Sequence, residues 1–252
     1  MTQNLPDFVV VGAPKCGTTA MLKNFRTFHP RIQMRGEISF FNFKWRKGVQ
    51  WYEAQFPRRQ ENCLIGEKTP SYLYCLSSES VHQSRRFCHE RMHTVLPSAK
   101  LIVCLRDPLT RAYSHWRMKT RHVENYQRSF DDAIELDLHN MNDPTYVRLS
   151  GDDFVQKGFY AEYLKNLHLY YPPNQIHVCI TERLWSNLEF EYNRIFEFLG
   201  VEPLSRMRYR LTRSNYERDW TERTRTRLSG IYADHIRQLE QLLGFEIPEW
   251  TR

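Results

Sequence analysis

Nothing in the 252-residue sequence approaches the length of a membrane-spanning apolar run. Met1 to Asp7 is polar, and the apolar stretch that follows, Phe8 to Val11, is too short for a signal-peptide core or a spanning helix. With no targeting segment visible, a soluble, cytoplasmic protein without membrane contact is expected. The six cysteines, at 16, 63, 75, 88, 104 and 179, form no C-x-x-C pair, and no histidine stands at zinc-ligand spacing from them. No metal is therefore expected. The thiols should be reduced, with Cys104 and Cys179 buried in apolar runs, while a disulfide among Cys63, Cys75 and Cys88 stays open. Repeats and low-complexity linkers are also missing, so residues 1–252 read as one domain of ordinary size for an α/β protein.

What is present begins with a loop. Between an apolar run and a helical stretch lies Val11-Gly12-Ala13-Pro14-Lys15-Cys16-Gly17-Thr18-Thr19, where backbone N–H groups meet a helix N-terminus and form an anion cradle. Gly12 and Gly17 have the G-x-x-x-x-G spacing of a phosphate-binding loop, but Thr18 and Thr19 replace the Lys-Ser or Lys-Thr that serves nucleoside triphosphates and magnesium. Lys15 instead sits inside the loop, so its ammonium is expected against a 5′-phosphate, with Thr18 and Thr19 on the nonbridging oxygens. A nucleotide or sugar kinase is the rival reading of such a loop, and Thr18 in the lysine position argues against it.

A second strand-to-helix junction, Leu101 to Ser114, ends its apolar run in Arg106-Asp107. Arg106 at the strand end and Ser114 about two helical turns later suit a second phosphate, held by a charged fork and a hydroxyl. The net charge of +7 agrees with an anionic ligand. Eight arginines between Arg206 and Arg227, interleaved with Trp220 and two tyrosines, raise a nucleic-acid reading. Glu217, Asp219 and Glu222 interrupt that field and no nucleic-acid-binding motif accompanies it, so no nucleic-acid partner is expected.

These motifs closely resemble those of sulfotransferases that use 3′-phosphoadenosine 5′-phosphosulfate (PAPS), in the branch that includes heparan sulfate sulfotransferases and bacterial relatives. Pro14 to Thr19 resembles their 5′-phosphosulfate loop, and Arg106 to Ser114 their 3′-phosphate element. Glu37-Ile38-Ser39-Phe40-Phe41, Gly66-Glu67-Lys68-Thr69-Pro70-Ser71-Tyr72, Gly158-Phe159-Tyr160, Thr181-Glu182-Arg183-Leu184 and Phe198-Leu199-Gly200 resemble further landmarks in order, so the likeness covers nearly the whole chain. It implies in-line sulfuryl transfer to a hydroxyl or amine of a small-molecule or carbohydrate acceptor, leaving 3′,5′-adenosine bisphosphate (PAP).

The resemblance assigns Lys15, Cys16, Gly17, Thr18, Thr19, Arg106, Ser114 and, from the arginine-rich segment, Arg213 to the nucleotide. Cys16 reads as a small loop residue. Glu67, placed directly after a strand, is the expected base, with Lys68 beside it; Glu37, Phe40 and His115 are candidates for the acceptor, and His115 is the competing base. Position 213 departs from the Lys/Gly/Arg-rich loop of the heparan sulfate enzymes.

Strands are expected at Phe8 to Val11, Cys63 to Gly66, Lys100 to Leu105 and Gln175 to Ile180, alternating with helices near 17–28, 48–56, 80–95, 108–123, 129–138, 153–170, 187–199 and 221–243. That order gives a central parallel sheet flanked by helices.

Overall fold

The computed structural model describes residues 4–76, 86–143, 145–147, 153–204 and 218–250. Strand β1 (Phe8–Gly12) is FVVVG and wholly buried, as a strand in the middle of a parallel sheet must be. Around it lie β2 (Ile32–Arg35), β3 (Leu64–Lys68), β4 (Lys100–Leu105) and β5 (Ile176–Ile180), all parallel, in the order β2-β3-β1-β4-β5. The expected α/β class is therefore found, with one strand more than was read. β2 is an edge strand of four residues whose side chains alternate, Ile32 and Met34 inward and Gln33 and Arg35 outward, so it carries no apolar run.

Helices fill the crossovers: α1 (Thr18–Phe28), α2 (Val49–Glu53), α3 (Cys88–Val95), α4 (Pro108–His122), α5 (Phe130–Met141), α6 (Tyr160–His168), α7 (Thr181–Ser186), α8 (Leu188–Leu199) and α9 (Glu222–Leu243). The sequence places one helix over 153–170, but the chain breaks it at Gly158. There a Cβ would run into Tyr232 and Pro108, so the glycine lets α4 and α9 close on that turn. The N-terminal part of the helix expected at 80–95 lies outside the described residues. In α9, Leu228, Tyr232, Ile236 and Leu239 form the buried stripe, and Gly244 at φ 73° stops the helix. Among the described residues no helix is long and apolar enough to cross a membrane, and no group of three or more His, Cys, Asp or Glu is arranged to hold a metal.

Close approach in the sheet makes one position unforgiving. A Cβ at Gly66 in β3 would overlap the ring of Phe8 and the sulfur of Met34. Gly66→Ala is expected to lower unfolding free energy by about 1–3 kcal/mol, the usual cost of overpacking, in urea denaturation.

Candidate active site

The carboxyl ends of β1, β3 and β4 open into one cleft of about 400 Å³. After β1 the loop turns through two left-handed residues, Lys15 at φ 73° and Gly17 at φ 84°, before α1 begins at Thr18. A left-handed lysine is a strained choice of about 1–2 kcal/mol, and it stands where the ammonium lines the cleft. No side chain caps the N-terminus of α1 and its first turn holds no acid, so its leading N–H groups and positive dipole end keep an unmet demand for an anion.

Thr181, opening α7, fastens the loop: its Oγ1 donates to the carbonyls of Cys16 (3.0 Å) and Leu105 (2.8 Å). Cys16 itself is fully buried, its Sγ 3.9 Å from Tyr160 Oη, and burial pushes its thiol up to about 12. It is a packing residue of the loop, and all six cysteines are free thiols.

Arg106 at the end of β4 donates from Nε to Thr110 Oγ1 (3.1 Å), and its guanidinium lies 5.1 Å from the centre of the Trp185 ring. Asp107 caps α4 by accepting from Thr110 N (2.7 Å), which aims the first two turns and brings Ser114 to the same cleft wall. The cleft thus gathers Lys15, Gly17, Thr18, Thr19, Arg106 and Ser114, six of the expected nucleotide residues. Arg213 lies outside the described residues. Lys15 is held below the usual lysine range, first by burial and then by the nearby Arg106 and Arg121 charges. Trp185 and Lys23 also line the cleft. No sequence motif singles them out, since their roles depend on how α7 and α1 lie against the loop.

Glu67 differs from its expected placement. β3 runs two residues farther than the apolar pattern suggests, so Glu67 lies inside the strand and, by the alternation of a strand, faces away from Lys68. Its carboxylate is fully enclosed and accepts from Tyr52 Oη (2.5 Å), Thr69 Oγ1 (2.6 Å) and Tyr72 Oη (2.9 Å). Burial raises its pKa against the opposing effect of those hydroxyls. Nothing leaves Glu67 free to meet an acceptor, and it does not line the cleft.

Glu37, on the loop after β2, does line it. Its Oε1 is 2.5 Å from Lys68 Nζ, and that ammonium also lies 3.5 Å from Thr19 Oγ1. The Glu37 side chain is 58% exposed while that of Lys68 is 5% exposed, so a reachable carboxylate is positioned by a sequestered cation.

Two acceptor candidates also move. Phe40 has no exposed surface and stacks on Tyr52 at 4.5 Å, which makes it a wall behind Glu67. His115 is buried edge-on against Phe154, does not line the cleft, and burial holds its pKa well below the usual histidine range. The 100° step from Ser114 turns it into the protein body.

Behind α4, Arg111 is wholly buried and donates to the Phe154 carbonyl, while Asp137 accepts from Val155 N (2.6 Å). Burial raises Asp137 from an ordinary 3.8 to about 7, against the pull of Lys157 and Arg111. Since the folded value is the higher one, the native state keeps a proton that the unfolded chain releases, and stability falls as pH rises from about 4 to 7. Denaturation at a series of pH values should show this slope, on the order of 2–4 kcal/mol, and Asp137→Asn should flatten it.

A family model described as a sulfotransferase domain matches residues 5–239. The chain belongs to the sulfotransferase family. It is 26% identical to human bifunctional heparan sulfate N-deacetylase/N-sulfotransferase 3, over 98% of this chain and 31% of that protein. It is 30% identical to human heparan sulfate glucosamine 3-O-sulfotransferase 6, over 79% of this chain and 54% of that protein. The chain therefore spans about a third to a half of the curated relatives it matches. In structure it is similar to a sulfotransferase from Alicyclobacillus acidocaldarius, with a TM-score of 0.77 at 22% identity over 98% of this chain and 99% of that one. It also resembles mouse sulfotransferase SULT7A1 complexed with PAP, with a TM-score of 0.57 at 12% identity over 92% of this chain and 85% of that one. Within the sulfotransferase family, then, the fold agrees with the α/β class read from the sequence.

Proposed function

We propose that this chain transfers a sulfuryl group from PAPS to a hydroxyl or amine of a small-molecule or carbohydrate acceptor. The observation that carries the reading is the cleft itself, which among the described residues gathers four cations, Lys15, Lys23, Lys68 and Arg106, an uncapped helix N-terminus, and one reachable carboxylate, Glu37. The donor supplies an activated sulfur–oxygen bond. Lys15 and the N–H groups of the loop hold the 5′-phosphate oxygens, and their fixed charge stabilises the negative charge that grows on the leaving phosphate. Arg106 and Ser114 hold the 3′-phosphate, and Trp185 offers a flat face beside Arg106 for the purine.

Glu37 replaces Glu67 as the base. It takes the proton of the acceptor as the new bond to sulfur forms and the bond to the phosphate oxygen breaks. Lys68 fixes its orientation and, through Thr19, ties it to the phosphosulfate loop. Glu67 supports this arrangement from behind, by holding Thr69 and Tyr72, whose oxygens accept the backbone N–H groups of Ile38 (3.2 Å) and Phe40 (2.8 Å) on either side of the Glu37 loop.

The test is twofold. PAP at about 100 times its Kd should raise unfolding free energy by roughly 2.7 kcal/mol, and ATP with magnesium should not. Radiolabelled PAPS should then pass label to an acceptor class. Stabilisation by ATP with magnesium alone would return the kinase reading.

A further inference from the structure

Past Gly244, where α9 stops, residues 245–250 turn back onto α7. Arg183 of α7 donates from Nε to Glu249 Oε1 (2.8 Å) and from Nη2 to the Glu246 carbonyl (2.7 Å), and Ile247 N donates to Glu240 Oε1 (2.7 Å). Ile247 and Trp250 are buried there. The indole of Trp250 makes two contacts that lead toward the cleft. Its Nε1 donates to Glu182 Oε2 (2.9 Å), and its ring lies 5.8 Å from that of Tyr160 at 55°.

Glu182 and Tyr160 meet again on one peptide group. Glu182 Oε1 accepts from Asp107 N (3.2 Å), and Tyr160 Oη donates to the Arg106 carbonyl (2.8 Å). That nitrogen and that oxygen belong to the single planar unit between Arg106 and Asp107, so α6 and α7 grip both its ends. The plane sets where the Arg106 side chain leaves β4 and how Asp107 caps α4, which in turn aims Ser114. α7 also carries Trp185, against the Arg106 guanidinium. A helix of six residues does not hold itself in place, and the contacts with residues 245–250 do so instead.

We propose that Trp250 is a positioning residue for nucleotide recognition: acting through Glu182, it fixes the Arg106–Asp107 peptide and so sets the preference for a nucleotide that carries a 3′-phosphate over one that lacks it. This rests on the sulfotransfer reading above, in which Arg106 and Ser114 hold that phosphate. Trp250 itself does not line the cleft. Without the indole N–H, a buried carboxylate oxygen loses its donor, and Glu182 is free to turn away from Asp107 N.

PAP and adenosine 5′-phosphate (AMP) differ only by the 3′-phosphate, and their affinities, measured by calorimetry, test the proposal. Trp250→Phe keeps an aromatic ring and removes the donor; Glu182→Gln puts an amide donor on one arm of the bridge. In each variant the preference for PAP over AMP should fall about 10-fold, with AMP bound as in the parent. The double variant should lose no more preference than the more affected single one, since both changes break one path. Should Trp250→Phe not fold, Glu182→Gln carries the same expectation. The proposal is overturned if the preference survives in the folded variants, if PAP and AMP weaken together as general loosening would make them, or if the parent binds PAP no better than AMP. A parent that binds neither nucleotide would instead sink the sulfotransfer reading.

Discussion

Glu37→Gln should lower kcat by about 10²- to 10⁴-fold, the range lost when a positioned proton acceptor is removed, with the protein still folded because the glutamine amide oxygen can go on accepting from the sequestered Lys68 ammonium. Glu67→Gln should do the reverse. Glutamine cannot accept all three hydroxyl hydrogen bonds that converge on Glu67, so stability should fall by about 1–3 kcal/mol, while turnover per folded molecule changes by less than an order of magnitude. Label transfer under single-turnover conditions, read beside urea denaturation of both variants, separates the two. A Glu67→Gln protein that folds as tightly as the parent but has lost its chemistry would return the base to Glu67.

Lys15→Ala is expected to lower kcat/KM by about 10²- to 10³-fold, or roughly 3–4 kcal/mol, the usual loss when one preorganised donor is removed from developing charge. Its stability should not fall with it. The ammonium is disfavoured in the free protein by burial and by Arg106 and Arg121, and alanine leaves the left-handed backbone strain as it was. Thermal unfolding without ligand should therefore match or exceed that of the parent, while the stabilisation given by PAP shrinks. A Lys15→Ala protein with unchanged kcat/KM would remove Lys15 from the chemistry.

The sheet and the gathering of Lys15, Thr18, Thr19, Arg106 and Ser114 in one cleft were legible because their signals are local. β1 and β4 are unbroken apolar runs followed by loops whose residue types announce phosphate, and proximity along the chain carries Lys15 to Thr19 and Arg106 to Ser114 into place. β2 was not legible, since an edge strand of four alternating residues looks like a loop. Glu67 was misplaced for a related reason. The end of β3 lies within polar residues, and ending the strand at Gly66 makes Glu67 look like a residue of the exposed sheet edge. The strand's parity then decides which neighbour reaches the cleft, and it is Lys68. Glu37 could have been preferred on one cue: it stands in a loop that starts from the strand end without an apolar neighbour on its N-terminal side, as Gly36 precedes it. Trp185 had no such cue, because its place depends on α7 packing beside a strand formed 80 residues earlier.

The order of the strands bears on how the protein is made. β1 leaves the ribosome first, yet its partners are Gly66 to Lys68 on one side and Lys100 to Val103 on the other. At ordinary rates of synthesis the first strand waits on the order of ten seconds for the second of these neighbours. Through that interval Phe8 to Val11, a stretch wholly enclosed in the finished molecule, has no sheet to join. The same central placement that sets the loop after β1 at the middle of the sheet edge ties formation of that loop to completion of β4 rather than to its own synthesis.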